Sequence, residues 1–240
     1  MNMILFMNLL LAHLIGDFVL QSDGLCQKKR EKGLKGWFMW VHSLIVTGLT
    51  WLLFGGKNFV WGAIITFVSH LLIDFMKNKL ERKRHVGFFV VDQILHLLII
   101  GLVCWMYNEG WSQFDWVPEE YALMGPAVLC AMLLCMKPAN ILIKGVFKWY
   151  QIEVPITKGK KRDGDLQNAG ALIGTVERLI ILILILLGQY EAVGFVVAAK
   201  SLMRFKDSEG AKAEYVLVGT LLSLCIAMIC AMGVRLLQNC

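Results

Sequence analysis

Long apolar stretches recur along this chain of 240 residues, and they constrain its fold more than any other feature. Most approach the roughly 20 apolar residues that an α-helix needs to cross a bilayer. Hydrophobic residues make up 58% of the chain and charged residues 18%, which is far from the balance of a soluble globular protein. We therefore predict an all-α, polytopic transmembrane helix bundle with about eight spans. The predicted spans are 3–20, 37–54, 59–76, 86–107, 121–136, 169–188, 191–205 and 215–237.

Two of these stretches, 121–136 and 191–205, are short, so six or seven full spans with one re-entrant segment would also fit. The first stretch lacks a basic segment before it and a small-residue cleavage site, so we interpret it as a retained transmembrane helix. Segment 137–151 alternates basic and bulky apolar residues at helical spacing, which fits either a helix on the cytoplasmic surface or an extension of the fifth span.

The pattern divides the chain into four parts. We predict an N-terminal four-helix membrane domain over 1–107, an outer loop with the fifth span over 108–136, a cytoplasmic amphipathic segment and linker over 137–168, and a C-terminal three-helix membrane region over 169–240.

Lysine and arginine cluster in the segments 27–35, 77–84, 137–168 and 204–212, whereas the loop 108–120 is acidic. Because cytoplasmic loops of membrane proteins are enriched in these residues, we predict an inner-membrane protein whose two termini lie on the non-cytoplasmic side. Topology also explains the net charge of +6, so we expect no nucleic-acid partner. The seven cysteines are scattered without a CxxC motif, which argues against disulfides or a thiolate zinc site.

A histidine and an aspartate stand four residues apart three times within the apolar stretches. Four residues are about one helical turn, so each pair shares a helix face. Ionisable groups in hydrocarbon are costly unless they are paired, hydrated or bound to metal. The predicted topology brings these pairs and a seventh residue into one layer near the cytoplasmic boundary, and Gln93 beside it fits either a partner or a spectator. The seven residues are His13, Asp17, His42, His70, Asp74, Asp92 and His96.

Imidazole and carboxylate groups together are the ligands of zinc, manganese and iron sites. We therefore expect all seven residues to be candidate ligands of a divalent metal, with Asp17, Asp74 and Asp92 also candidate catalytic groups. Such a metal converts bound water to a hydroxide nucleophile. From depth and charge, we expect three cationic residues, Arg178, Lys200 and Arg204, to hold an anionic group such as a phosphate. Glu177 completes this set of candidate substrate-binding residues.

Together these features favour a metal-dependent hydrolase that acts on a lipid or phosphate-bearing substrate from the cytoplasmic side of the bilayer. A proton-coupled or metal-ion transporter is the alternative, because intramembrane histidine and aspartate also relay protons. A third interpretation is a non-catalytic membrane interaction protein in which the histidine–aspartate pairs fix helix packing. The polar residues crowd one leaflet, which favours a pocket over a path through the membrane.

Four segments carry a resemblance to a known family: HLIGDFVLQSD over 13–23, His42, HLLIDFMK over 70–77 and DQILH over 92–96. In order and spacing they resemble the bacterial membrane proteins of domain-of-unknown-function family 3307. The resemblance covers about the first 105 residues. It implies that the seven histidines and aspartates form one set, and it implies no activity.

Overall fold

The computed structural model describes residues 2–21, 24, 36–56, 58–80, 86–107, 117–152, 169–205 and 211–238. These ranges contain helices and no β-strand, which confirms the predicted all-α class. The basic segment 27–35 and most of the predicted linker, 153–168, lie outside them. The helices are α1 (Met3–Leu14), which continues into a π-helical turn (Ile15–Val19), α2 (Trp37–Phe54), α3 (Val60–Leu80), α4 (Val86–Met106), α5 (Glu119–Cys135), α6 (Lys137–Trp149), α7 (Ala169–Leu186), α8 (Tyr190–Phe205) and α9 (Ala211–Gln238).

Each of the eight predicted spans coincides with a helix. Within the described ranges, five stretches are long and apolar enough to cross a membrane, and Met3–Val19 is a shorter apolar helix. The predicted transmembrane helix bundle is thereby confirmed, while the number of crossings and the side of the termini stay predictions. The five stretches are Trp37–Phe54, Val60–Lys79, Gly87–Met106, Glu120–Trp149 and Glu214–Gln238.

The chain folds into two compact units, Met1–Leu133 and Leu134–Cys240. In the N-terminal unit, α1 packs against α2 and α4, and α3 packs against α2 and α4. An apolar core occupies one end of this unit, where the rings of Phe54 and Phe59 stack with centroids 4.3 Å apart. The Tyr107 hydroxyl accepts a hydrogen bond from the Gly62 amide at 3.0 Å beside this core. This end of the unit is therefore closed by aliphatic and aromatic packing.

In the C-terminal unit, α7 packs against α8 and α9, and α6 packs against α7 and α9. Helix α6 is separate from α5, because Met136 between them has a non-helical backbone with φ −89° and ψ −114°. Pro138 follows in the first turn of α6, where a missing amide hydrogen costs no helical hydrogen bond. The position of α6 on the cytoplasmic surface stays a prediction.

Helices α1 and α2 approach closely at Gly16, within the π-helical turn. A Cβ atom at Gly16 would lie 2.6 Å from Cγ2 of Val46 in α2 and 3.5 Å from its Cβ. Small residues permit such backbone approach in membrane bundles. The approach matters because it brings the π turn, which carries Asp17, against α2.

Gly16→Ala is expected to lower the free energy of unfolding by about 1–3 kcal/mol, as overpacking of a close contact does. Val46 is stiff at χ1 and cannot turn away cheaply. Gly48→Ala in α2 is the matched control, because a Cβ there meets no described atom within 4 Å and should be neutral or stabilising. Thermal unfolding in detergent, followed by circular dichroism, measures the difference. Equal melting temperatures for the two variants would contradict the close approach.

Candidate functional site

The seven predicted histidine and aspartate residues come together as one buried cluster in the N-terminal unit. None of them is more than 9% exposed. They come from α1 with its π turn, α2, α3 and α4. Three overlapping groups within the cluster have donor atoms no more than 4.8 Å apart: His13 with His70 and His96, Asp17 with His42 and His70, and Asp74 with Asp92 and His96.

The tightest part of the cluster consists of four side chains. His42 Nε2 lies 3.2 Å from Asp17 Oδ1 and 3.7 Å from Asp74 Oδ2. His70 Nε2 lies 3.4 Å and 3.6 Å from the same two oxygens. The two Nε2 atoms are 3.0 Å apart. Two nitrogens and two carboxylate oxygens from three helical segments therefore converge on one small volume.

These distances are close to the spacing of ligands around a metal ion. Zinc lies about 2.0–2.2 Å from nitrogen and oxygen ligands, which places neighbouring ligand atoms of a tetrahedral site about 3.3–3.6 Å apart. Four atoms have six separations, and the five that involve a histidine nitrogen are 3.0–3.7 Å. Asp17, His42 and His70 form one group with donor atoms no more than 4.8 Å apart, and Asp74 adjoins it through both histidines.

The electrostatics of this group also call for a cation. Two neutral imidazole nitrogens can share only one proton between them, because a hydrogen bond needs one donor and one acceptor. Asp17 Oδ1 is buried and makes no hydrogen bond to the described residues. Buried carboxylates are costly unless a positive charge or hydrogen bonds compensate them. A metal ion or an additional proton would supply that compensation.

His96 presents a second buried nitrogen to the cluster. Its Nδ1 lies 2.8 Å from the Asp92 backbone oxygen, which can only accept, so Nδ1 carries the proton. In the neutral ring, Nε2 then holds the free lone pair. This Nε2 is buried and has no hydrogen bond among the described residues. The His96 ring lies against two other rings, with centroids 4.7 Å from His13 and 4.6 Å from His70.

Two further residues support the cluster from α3 and α4. Lys77 Nζ donates to Asp92 Oδ2 at 2.6 Å, and the Gln93 amide donates to the same oxygen at 3.0 Å. Gln93 Oε1 also lies 3.4 Å from His13 Nε2. Gln93 is therefore a partner and not a spectator. Lys77 was not assigned to the site from sequence, although its position two helical turns after His70 places it on the same face.

For Asp17 and His70, the side-chain contact within the helix is longer than the shortest contact with another helix. Within a helix, the ring nitrogen and the side-chain carboxylate oxygen are 4.0 Å apart for His13 and Asp17, 3.6 Å for His70 and Asp74, and 3.7 Å for His96 and Asp92. The four-residue spacing thus puts each pair on one face as expected, and the shortest contacts of Asp17 and His70 are with other helices.

A small cavity adjoins the cluster. Its volume is about 20 Å³, and its lining combines His13, His70 and His96 with apolar side chains such as Leu9 and Val103. A cavity of about 10–15 Å³ on this measure is enough for one water molecule. There is room beside the imidazoles for a single small species.

The cationic set lies in the C-terminal unit. Arg178 is 1% exposed and donates to the Cys135 backbone oxygen at 2.6 Å and to Asn140, Thr175 and Ser223. Glu177 is paired with Lys200. Adjacent Glu177 and Arg178 thus find partners on other helices, as their positions about 100° apart require. The side chain of Arg204 lies outside the described residues. Their role in holding a substrate phosphate stays a prediction.

The cluster lies in a region of the chain that matches a known protein family. The model of the family described as "Protein of unknown function (DUF3307)" matches residues 5–122. This half of the chain belongs to that family. The matched DUF3307 region contains α2–α4, all of α1 except its first two residues, and all seven cluster residues, so the resemblance drawn from the motifs is confirmed. Neither the curated proteins nor the solved structures yield a match.

Within the DUF3307 region, Lys77→Met is expected to lower the free energy of unfolding by about 3 kcal/mol, because it removes the ammonium partner of a buried carboxylate. Lys79→Met, an exposed site on the same helix, is the matched control and should change stability by less than about 0.5 kcal/mol. Unfolding in detergent followed by tryptophan fluorescence measures both. If Lys77→Met proved as stable as its control, the Lys77–Asp92 ion pair would contribute nothing measurable to the free energy of unfolding.

Proposed function

We propose that the buried cluster binds a divalent metal ion and that the protein is a metal-dependent hydrolase acting on a lipid or phosphate-bearing substrate. His42, His70, Asp17 and Asp74 supply the ligand atoms in this proposal. The observation that supports it is the set of five separations of 3.0–3.7 Å between the two histidine nitrogens and between each of them and the two carboxylate oxygens, which are close to the ligand spacing around a metal ion.

Charge balance supports a divalent ion over a monovalent one. The two carboxylate ligands of this proposal, Asp17 and Asp74, are both buried and carry two negative charges when ionised. Two neutral imidazoles and two carboxylates around a divalent cation form a neutral group, which is the arrangement that an apolar bundle tolerates best. Zinc, manganese and iron all accept this mixture of imidazole and carboxylate ligands.

The remaining members of the cluster suit the handling of a water molecule. The small cavity beside His13, His70 and His96 has room for one water. His96 Nε2, buried with its lone pair free, is placed to accept a proton from that water. A divalent metal held by His42, His70, Asp17 and Asp74 would supply the nucleophile of the proposed hydrolysis by lowering the pKa of a water bound as an additional ligand. Asp92 assists by fixing the orientation of the His96 ring through its backbone oxygen.

Access favours hydrolysis at one side of the bilayer over transport across it. The end of the unit that carries Leu5, Leu9 and Phe59 is closed by apolar packing. The opposite edge of the cluster ends at Lys77, whose side chain is 27% exposed. A substrate with an anionic phosphate would meet this ammonium first. A metal-ion or proton-coupled transporter, the alternative class, needs a polar route past the apolar end.

The test compares lipid turnover by protein loaded with Zn²⁺ or Mn²⁺ and by chelated protein. The probe is a vesicle mixture of phosphatidylethanolamine, phosphatidylglycerol and cardiolipin, analysed by mass spectrometry. We expect turnover only with metal, and a loss of at least about 100-fold in Asp17→Asn and His70→Ala, since loss of even an outer metal partner costs about 10–100-fold. His85→Ala, which removes the one histidine outside the cluster, is the control and should behave as the unmodified protein.

The same samples separate the alternatives. Metal bound stoichiometrically by elemental analysis, with no turnover and with metal uptake into sealed proteoliposomes, would replace the hydrolase by the transporter. Protein that carries no metal and turns over no lipid would leave the histidines and aspartates with a role in helix packing alone.

A further inference from the structure

The C-terminal unit contains a cavity that the proposed hydrolysis does not use. Its volume is about 230 Å³, and it lies between α6, α7 and α9 with Lys200 of α8 at its wall. Pockets for drug-sized ligands measure about 300–1,000 Å³. The cavity is thus too small for a whole amphiphile and large enough for a polar headgroup.

The lining of this cavity is positively charged. Lys144, Arg178 and Lys200 contribute three cations, and Glu177 is the single acid among the lining residues. Glu177 is bonded to Lys200, so that pair is neutral as a unit. The charges of Arg178 and Lys144 remain. The cavity therefore carries an excess of about two positive charges, which favours an anion.

Arg178 is the buried centre of this charge. Its hydrogen-bond partners among the described residues are neutral oxygens: the backbone carbonyl of Cys135, the hydroxyls of Thr175 and Ser223, and the side-chain amide of Asn140. These bonds use four of the five N–H groups of a guanidinium, and Nη1 has one left. A guanidinium that is 1% exposed has no carboxylate among these partners, so its charge is hydrogen-bonded and not neutralised.

Gly174 keeps the space next to this guanidinium open. Gly174 lies in α7 one turn before Arg178 and lines the cavity. A Cβ atom at this position would lie 3.3 Å from Arg178 Nη1. Any side chain there would crowd the nitrogen that retains a free N–H. Glycine inside a helix costs about 1 kcal/mol relative to alanine, so its use here is consistent with space kept for a ligand.

Helix α6 carries the features of the headgroup region of a membrane. Trp149 and Tyr150 at its end are 72% and 73% exposed, and such aromatic residues concentrate at the membrane–water interface. Lys144, which lines the cavity, is exposed, so the cavity reaches the surface of this unit. Phe147 anchors the same helix on α9, with its ring 4.6 Å from that of Tyr215.

We propose that this cavity binds the phosphate group of an anionic phospholipid, with Arg178 and Lys144 as the contacting cations. The Glu177–Lys200 pair forms part of the wall, where Glu177 offsets the charge of Lys200. This assignment is independent of the metal cluster, because every residue in it belongs to the C-terminal unit.

The test measures binding of short-chain phosphatidylglycerol to the full chain in neutral detergent by isothermal titration calorimetry. Lys144→Gln should weaken binding by about threefold, as loss of an exposed ion pair does. Glu177→Gln should tighten it by a similar factor, because it removes the one negative charge of the lining. Arg178→Gln should weaken it by about 10–100-fold, the worth of a hydrogen bond to a charged group. Lys148→Gln, on the same helix outside the lining, is the matched control and should bind as the unmodified protein.

Three results would overturn the assignment. Inorganic phosphate bound as tightly as phosphatidylglycerol would mean a site for a free anion and not for a lipid. Phosphatidylcholine bound equally well would mean that the anionic charge is not recognised. Unchanged affinity in both Lys144→Gln and Glu177→Gln would leave Arg178 a structural side chain, even if Arg178→Gln fails to fold. Binding that persists after chelation of metal supports the site irrespective of whether the proposed hydrolase activity is found.

Discussion

The carboxylates of Asp17 and Asp74 are buried inside an apolar helix bundle, and this burial is the main constraint on how the N-terminal unit packs. Neither charge is tolerable in hydrocarbon by itself, so the fold must deliver compensating groups to both. Helix α2 brings His42 and α3 brings His70 within 3.7 Å of both oxygens. The Gly16 contact with Val46 lets the π turn carry Asp17 to them. Local irregularity of the first helix thus serves the cluster, as π turns often do at functional sites.

The two units present opposite chemistry. In the N-terminal cluster, lone pairs of nitrogen and oxygen converge on a small volume, which is the arrangement that suits a cation. In the C-terminal cavity, N–H groups of Arg178 bond to neutral oxygens and Lys144 belongs to the lining, which suits an anion. The proposed metal centre in one unit and the proposed phosphate site in the other would both suit a protein that acts on phosphate-bearing lipids. The two proposed sites consist of different residues and are tested by different experiments.

Much of this arrangement could be predicted from sequence, for reasons that are local. Hydropathy and length are properties of a single stretch, so all eight predicted spans coincide with helices. Ionisable residues in such stretches are rare enough to identify the seven cluster members as one set. Other features could not be predicted, because they depend on how different helices pack against each other. The 3.0 Å approach of His42 to His70, the Lys77 pairing with Asp92 and the backbone break at Met136 are of this kind. Depth and charge identify the cationic residues as candidates, but neither property shows that Arg178 bonds to neutral oxygens on other helices.

The central claim is that His42, His70, Asp17 and Asp74 form a metal centre, and X-ray absorption at the zinc edge tests it most directly. For zinc-loaded protein we expect four nitrogen or oxygen ligands at about 2.0–2.1 Å, with the outer-shell scattering of two imidazole rings. His70→Ala should remove one imidazole from that signal, and His85→Ala should leave it unchanged. A spectrum without imidazole scattering, or one that is identical in the His70→Ala variant, would contradict the account.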